Sequence, residues 1–262
     1  MDELLRAYDE QLRGDAELRS AARVERIGPA AVGFFPGGFA LVTARPPLGE
    51  AGPLVRSVLD RLRADPSVQA VEWKTRAHDD APGLLEALER EGLAPAEPES
   101  IMIGEAALLA AEIVVPAGVR LRAVTAPADV RAASGMADRV FGDPVSEERV
   151  EDLLGRIERG AELWVAEVGG EVVSTGRLEP VPGTAFAGLW GGATREDHRH
   201  RGVYRALTAE RARSALRRGV RWLQSDSTEF SRPILERSGL RKVSSTTPWE
   251  WRRGAGATSA PV

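Results

Sequence analysis

The stretch Gly191-Gly192-Ala193-Thr194-Arg195-Glu196-Asp197-His198-Arg199-His200-Arg201-Gly202-Val203-Tyr204-Arg205-Ala206-Leu207 holds the residues best equipped for chemistry. It reads as the end of a strand, an arginine-rich turn and the start of an amphipathic helix. The first turn of a helix leaves backbone N–H groups unpaired, and the helix dipole adds positive potential there. A glycine at the entry, Gly202, lets an anion approach the backbone closely. Arg199 and Arg201 add charge-assisted donors. His198 and His200 stand in the same turn. Together these residues suit a diphosphate, although a solvated basic turn has the same composition, so the surrounding elements must decide.

Those elements are legible in outline. Leu4, Leu5, Tyr8, Leu12, Leu18 and Val24 suggest a helix over Glu3–Val24, ended by Gly28-Pro29. Ala31–Phe35 and Phe39–Thr43 flank Pro36-Gly37-Gly38 and read as a hairpin. A helix over Leu54–Leu62, a strand over Val68–Trp73, a helix over Gly83–Glu91 stopped by Gly92, and a strand over Ile101–Gly104 follow. Ala106–Gly118 reads as a connection. Beyond it the pattern gives a strand at Gly118–Val124 and helices at Ala128–Phe141 and Ser146–Arg159, with Ser146 as N-cap. A hairpin, Glu162–Val168 and Glu171–Leu178, turns on Gly169-Gly170. Then come a strand at Thr184–Thr194, a helix at Gly202–Arg217, a strand at Val220–Ser225, a short helix at Arg232–Arg237, and strands at Leu240–Thr246 and Trp249–Arg252. Gly254–Val262 is small and polar and reads as a frayed tail.

One internal match bears on domain organisation. Leu88-Glu89-Arg90-Glu91-Gly92-Leu93 corresponds to Leu235-Glu236-Arg237-Ser238-Gly239-Leu240. Each copy follows a strand containing Trp (Trp73, Trp222) and precedes another strand, an order that favours an old duplication. The offset pairs Thr194–Leu207 with Pro47–Asp60, so Gly52-Pro53-Leu54-Val55-Arg56 would stand where the anion turn stands in the second copy. There Pro53 removes an N–H donor and the paired arginines are missing.

Composition narrows the rest. The chain has 262 residues, 43% hydrophobic and 28% charged, a soluble globular balance that allows two modest domains or one large one. The absence of cysteine excludes a thiol nucleophile, a thiolate-held zinc and an iron–sulfur cluster, and three histidines make a histidine metal site an unlikely expectation. A net charge of −4 argues against nucleic-acid binding. Among 35 basic residues only Lys74 and Lys242 are lysine, a bias of composition rather than a site. No apolar run is long enough to span a membrane, and Met1–Glu10 has neither the basic nor the apolar region of a signal peptide, so a cytoplasmic protein is expected. No heptad supports a coiled coil, which leaves a monomer or a homodimer.

The element order from Gly118 to Trp251, with Arg199-His200-Arg201-Gly202-Val203-Tyr204, resembles the GNAT superfamily of acyl-CoA-dependent N-acyltransferases. Its signature, Arg/Gln-x-x-Gly-x-Gly/Ala, opens the helix after the fourth strand. Arg199 and Gly202 match it; Tyr204 stands where a small residue is usual. Ser231–Leu240 is similar to the second signature, with Leu240 for the usual Phe. The resemblance implies an α/β (α+β) chain of two GNAT-like domains, each a mixed, mostly antiparallel sheet flanked by helices. The bounds would be a degenerate copy at 1–110, an acyltransferase domain at 111–253 and a flexible tail at 254–262. It further implies acetyl-CoA as cosubstrate, no metal, and direct attack of a small-molecule or peptide amine on the thioester in a ternary complex. Ala193, Thr194 and Glu196 would accompany the pantetheine. Arg199, His200, Arg201, Gly202, Val203, Tyr204 and Arg205 would hold the diphosphate. Ser227, Thr228 or Ser231 would stand near the sulfur.

The proton-transfer residues stay open at this point. The family's usual acid, a Tyr in the last short helix, is replaced by Leu235, leaving Tyr204 as the one tyrosine of the C-terminal domain. Glu179, Asp226 and Glu229 are the nearest carboxylates by topology, and Trp190 is a candidate wall of an acceptor site. The alternative is an acyl-CoA-binding or structural module without catalysis.

Overall fold

The computed structural model describes residues 3–111, 113–229 and 231–254; most of the tail assigned to 254–262 lies outside the described residues. In chain order the first elements are α1 (Glu3–Gln11), β1 (Arg23–Ile27), β2 (Ala30–Phe35), β3 (Phe39–Ala44), α2 (Ala51–Arg63), β4 (Ala70–Arg76), α3 (Leu84–Arg90), β5 (Ala94–Pro95), β6 (Glu99–Glu105) and α4 (Ala106–Leu109). There follow β7 (Val119–Val124), α5 (Pro127–Phe141), α6 (Glu147–Glu158), β8 (Glu162–Val168), β9 (Glu171–Pro180), β10 (Phe186–Thr194), α7 (Val203–Arg217), β11 (Trp222–Ser227), α8 (Arg232–Arg237) and β12 (Arg241–Arg252). The chain falls into two compact units. Among the described residues, unit 1 comprises 3–101, 226–229 and 243–254, and unit 2 comprises 102–111, 113–225 and 231–242.

In unit 1 the strands run β1-β2-β3 antiparallel, β3 pairs β4 in parallel, and β4 pairs the far C-terminal β12 antiparallel. The helix expected over Glu3–Val24 ends at Gln11. Gly14 breaks it at φ +68°, and Arg23–Ile27 becomes an edge strand joined to β2 through Gly28 at φ +57°. Val24 is 44% exposed, so it never belonged to the helix's apolar stripe. The α2 face Leu54, Val55, Val58, Leu59 and Leu62 packs with Val32, Val42, Val71 and Trp73 into the unit's core. Each such side chain removed from water contributes roughly 1.5–3 kcal/mol. Leu240–Thr246 and Trp249–Arg252, expected as two strands, form one.

In unit 2, β7-β8-β9-β10 form an antiparallel meander, and β10 pairs β11 in parallel. The two faces of β8 show how the helices are layered. Leu163 and Val165 pack with Val130, Ala133, Val150 and Leu153 of α5 and α6. Trp164 and Ala166 pack with Val203 and Leu207 of α7. The Ser146 hydroxyl accepts from the Arg149 N–H at 3.2 Å and caps α6, as its position predicts. Gly169 and Gly170, at φ +60° and +86°, make the β8–β9 turn.

Both copies of the Leu–Gly–Leu repeat are helix stops. Leu93 N–H donates to Leu88 O at 3.0 Å, and Leu240 N–H donates to Leu235 O at 3.1 Å. Gly92 and Gly239 stand between them at φ +80° and +105°. This is the six-to-one closure that needs a left-handed residue just past the helix end, with leucines meeting across it.

Candidate functional site

The site is built where β10 leaves β11. Their parallel register runs only from Phe186↔Trp222 to Gly188↔Gln224, though β10 continues to Thr194. The Ser225 hydroxyl, donating to Leu189 O at 2.9 Å, is a side-chain link just past that point. On its other edge β10 stays paired to β9, with a bulge between Trp190 and Ala193. The bulge is made of glycines for a steric reason. A Cβ on Gly191 would lie 2.6 Å from Arg177 Nη1, and one on Gly192 would lie 2.5 Å from Tyr204 Oη. Gly188 has the Trp190 indole folded over it. The strand thus parts from its parallel neighbour over residues 189–194, which frees one row of backbone groups.

At the end of β10 the chain makes a short turn over Glu196–His198 and enters α7 through Gly202, which is at φ +79°. No side chain caps the helix, so the first N–H groups of α7 depend on an outside acceptor. Arg199 donates from Nε to Thr194 O at 3.2 Å. His200 is at φ +61°, a left-handed conformation costly for a residue with a Cβ. Arg201 and Arg205 are exposed and form no ion pair among the described residues. Arg195 is spent on Asp197 of the turn and on Glu171 of β9, each at 2.8 Å. The Arg195 guanidinium and then the His198 ring hold the Asp197 carboxyl down at about 2. Beside the turn lies a cavity of about 620 Å³, lined among others by Met136, Arg139, Val140, Val172 and Arg199.

The candidate proton-transfer residues are divided between the two units. Glu179 lies opposite Gly188 in the β9–β10 register, ion-paired to Arg177 at 2.8 Å and to Arg156 at 3.5 Å. The Tyr204 phenol lies against Gly192. Asp226 belongs to unit 1, where Lys74 Nζ donates to it at 2.8 Å. Glu229, also in unit 1, accepts from the Ser100 hydroxyl at 3.0 Å. The Ser231 hydroxyl does not cap α8. Leu235 is buried in the core of unit 2.

Residues 115–225 match the family model described as acetyltransferase (GNAT) domain. The match runs from β7 into β11, and so takes in the whole strand–turn–helix of the site. None of the curated proteins matches the sequence. Solved structures do resemble the GNAT fold seen here. A GCN5-related N-acetyltransferase from Kribbella flavida is 17% identical, with a TM-score of 0.69, covering 92% of this chain and 94% of its own. One from Sphaerobacter thermophilus is 20% identical, with a TM-score of 0.62, covering 86% and 76%. A tandem GNAT protein from the clavulanic acid biosynthesis pathway, solved without AcCoA, is 17% identical, with a TM-score of 0.64, covering 92% and 87%. At these identities the likeness is one of fold.

Sequence reasoning missed Arg211. It is fully buried on the inner face of α7. Nη1 donates to Arg177 O at 3.2 Å and Nη2 to Thr208 Oγ1 at 3.0 Å, with no ion pair among the described residues. Its guanidinium stands 2.5 Å from where a Cβ on Gly176 would be, and 5.5 Å from the Tyr204 ring. The available signal was an arginine set among Leu207, Ala212 and Ala215 in the apolar stripe of α7.

Unit 1 holds a second buried polar cluster, at the ends of β3 and β4. Arg76, closed off from solvent, pairs with Glu17 and donates to Tyr8 Oη at 3.4 Å; the Thr43 hydroxyl donates to Glu17 at 2.6 Å. Burial works against the Lys74 ammonium, but Asp226, Tyr8 and Glu17 outweigh it and raise Lys74 above its ordinary range. Burial, with Asp226 and Glu17, pushes the Tyr8 phenol up to about 12 despite Arg76 and Lys74. Among the described residues no group of His, Cys, Asp and Glu is arranged to hold a metal ion, and no helix is long and apolar enough to cross a membrane.

Proposed function

We propose that this chain is an acyl-CoA-dependent N-acyltransferase. It would transfer an acetyl group from acetyl-CoA to an amine of a small molecule or peptide. The observation that carries this reading is the parting of β10 from β11 beyond Gly188, next to an uncapped helix entered through a left-handed Gly202. A parted strand offers amide partners to an extended chain, and an uncapped helix head offers several to a diphosphate. The residues fit acetyl-CoA on that ground. Val203, Tyr204 and Arg205 N–H groups with the Arg199, Arg201 and His200 side chains would hold the diphosphate, and Ala193, Thr194 and Glu196 the pantetheine. When bound, the cosubstrate supplies an activated thioester and its own thiolate leaving group, so the chain needs no nucleophile of its own.

The remaining roles fall to the chain. A β10 N–H freed by the parting is a preorganised donor for an oxyanion. Glu179, beside Gly188, is the carboxylate we assign to receive the amine proton, with Trp190 walling the acceptor. Asp226 lies in unit 1, paired with Lys74. Ser231 remains a candidate near the sulfur. The protein would be cytoplasmic, a monomer or homodimer.

We assign 111–253 as the acyltransferase half and 1–110 as a degenerate copy. Both show an antiparallel meander, then a strand–helix–parallel strand unit, then a short helix with the same stop.

Isothermal titration with acetyl-CoA and a free-thiol assay with a panel of amines test this reading. Gly202→Val places a branched side chain at φ +79° and is expected to weaken acetyl-CoA binding at least about tenfold. No binding by the unmodified chain at millimolar acetyl-CoA would refute the proposal. The alternative is an acyl-CoA-binding module without catalysis, favoured by Leu235 at the usual acid position. It predicts binding with no thiol release from any amine.

A further inference from the structure

Tyr204 stands second in α7, where its ring lies against the bulge of β10 at Gly192. The Oη lies 2.5 Å, and Cε2 2.7 Å, from the position of a Cβ on Gly192. The ring therefore lies directly on the backbone of the bulge. The ring also packs against the core cluster of unit 2 that includes Leu178, Leu189 and Leu223. Arg211 holds it from the helix side: the guanidinium is 5.5 Å from the ring centre and bonded to Thr208, whose hydroxyl donates to Tyr204 O at 2.9 Å. A cation over an aromatic face is attractive, more so out of water. This ring is thus wedged between the helix head and the strand, rather than turned out to solvent.

Resting on the reading above, that the cosubstrate runs from the head of α7 along β10, we infer that the Tyr204 ring occupies the cosubstrate's path at Gly192 and gates its binding. The phenol ring and the pantetheine arm compete for the same face of the bulge. Acyl-CoA binds only when the ring rotates off Gly192, so the apparent affinity is the intrinsic affinity scaled by the fraction of molecules with the ring displaced. Gly192 is glycine because the strand must accept either occupant closely.

The chain has two tyrosines, Tyr8 and Tyr204, which gives a direct readout. Protein made with 3-fluorotyrosine shows two fluorine resonances. Tyr8 is buried in unit 1 and serves as an internal reference. Addition of acetyl-CoA is expected to move the Tyr204 resonance and leave that of Tyr8 in place. By calorimetry, Tyr204→Ala is expected to bind acetyl-CoA about tenfold more tightly, with Tyr204→Phe close to the unmodified chain, because the ring and not the hydroxyl is the competitor. Tyr204→Leu serves if the alanine variant does not fold. An unmoved Tyr204 resonance on saturation, or equal or weaker binding by both Tyr204→Ala and Tyr204→Leu, overturns this inference while the acyltransferase reading stands. If neither the unmodified chain nor any folded variant binds acetyl-CoA, the acyltransferase reading fails and this inference falls with it.

Discussion

The buried charges of unit 1 show how much can hang on single residues. Arg76 is closed off from solvent, and its charge is balanced by Glu17. Removing one partner of such a pair leaves the other uncompensated in a poor solvent, at a cost of about 3–5 kcal/mol. Glu17→Gln is therefore expected to lower the melting temperature of the unit by many degrees at neutral pH. The pH dependence has a definite sign. Burial alone would raise the Glu17 carboxyl, but Arg76, Lys74 and the Thr43 hydroxyl overcome it and hold it below its ordinary value. A depressed carboxylate stabilises the fold above its unfolded pKa of about 4.3, and the contribution disappears as pH falls through the lower folded value. Thermal melts of the two proteins should be far apart at pH 7, and the gap should narrow steadily as pH falls below about 4.3. A constant gap down to pH 3 would mean that Glu17 gives no charge-dependent stability. Asp226 belongs to the same cluster through its bond to Lys74 at 2.8 Å.

At the level of elements, local turn chemistry was legible and distant pairing was not. The Gly169-Gly170 hairpin, the Ser146 cap and the strand–turn–helix at Thr194–Val203 are dictated by neighbouring residues, and they stand where the sequence places them. The edge strand β1 was hidden because its partner β2 supplies its order, while its own side chains are mostly exposed. The pairing of β12 with β4 joins residues far apart in the chain, and no local pattern records it. The Leu–Gly–Leu repeat is weaker evidence of duplication than it looks, because the same closure ends α6 at Gly160 and α7 at Gly219. Arg211 was overlooked because periodicity assigns arginine to the outer face, whereas a glycine on β9 makes room for it inside. That dependence is testable. Gly176→Ala would put a methyl group 2.5 Å from the Arg211 guanidinium, which has no exposed route of retreat. Overpacking of this kind costs about 1–3 kcal/mol. Denaturant melts should show that loss, and Gly176→Ala with Arg211→Met should recover part of it if the clash is the cause.

Across the whole molecule, two similar topologies carry unequal strand–turn–helix junctions, and the difference lies in a few backbone facts. In unit 2 the parallel pairing stops at Gly188 and leaves six residues of β10 parted from β11. In unit 1 the corresponding parallel pair, β3 with β4, is held from Phe39↔Ala70 to Thr43↔Lys74, one residue short of the strand's end. That strand has no free row of amides to offer. The helix heads differ as well. α7 is entered through a left-handed glycine, α2 through Glu50 in an extended conformation at φ −78°. Gly52-Pro53, expected at the anion turn itself, lie inside the first turn of α2, where Pro53 removes one of the N–H groups an anion would need. Charge runs the same way, since Glu50 brings a carboxylate to the head of α2 and Arg199 and Arg201 bring guanidinium groups near the head of α7. An uneven pair of sites predicts a stoichiometry. Titration of the full chain with acetyl-CoA should saturate at one molecule per chain, and Gly202→Val should remove that one event without exposing another. A second equivalent, surviving in Gly202→Val and abolished by a substitution at the head of α2, would show that the closed β3–β4 pair opens on binding and that unit 1 is no degenerate copy.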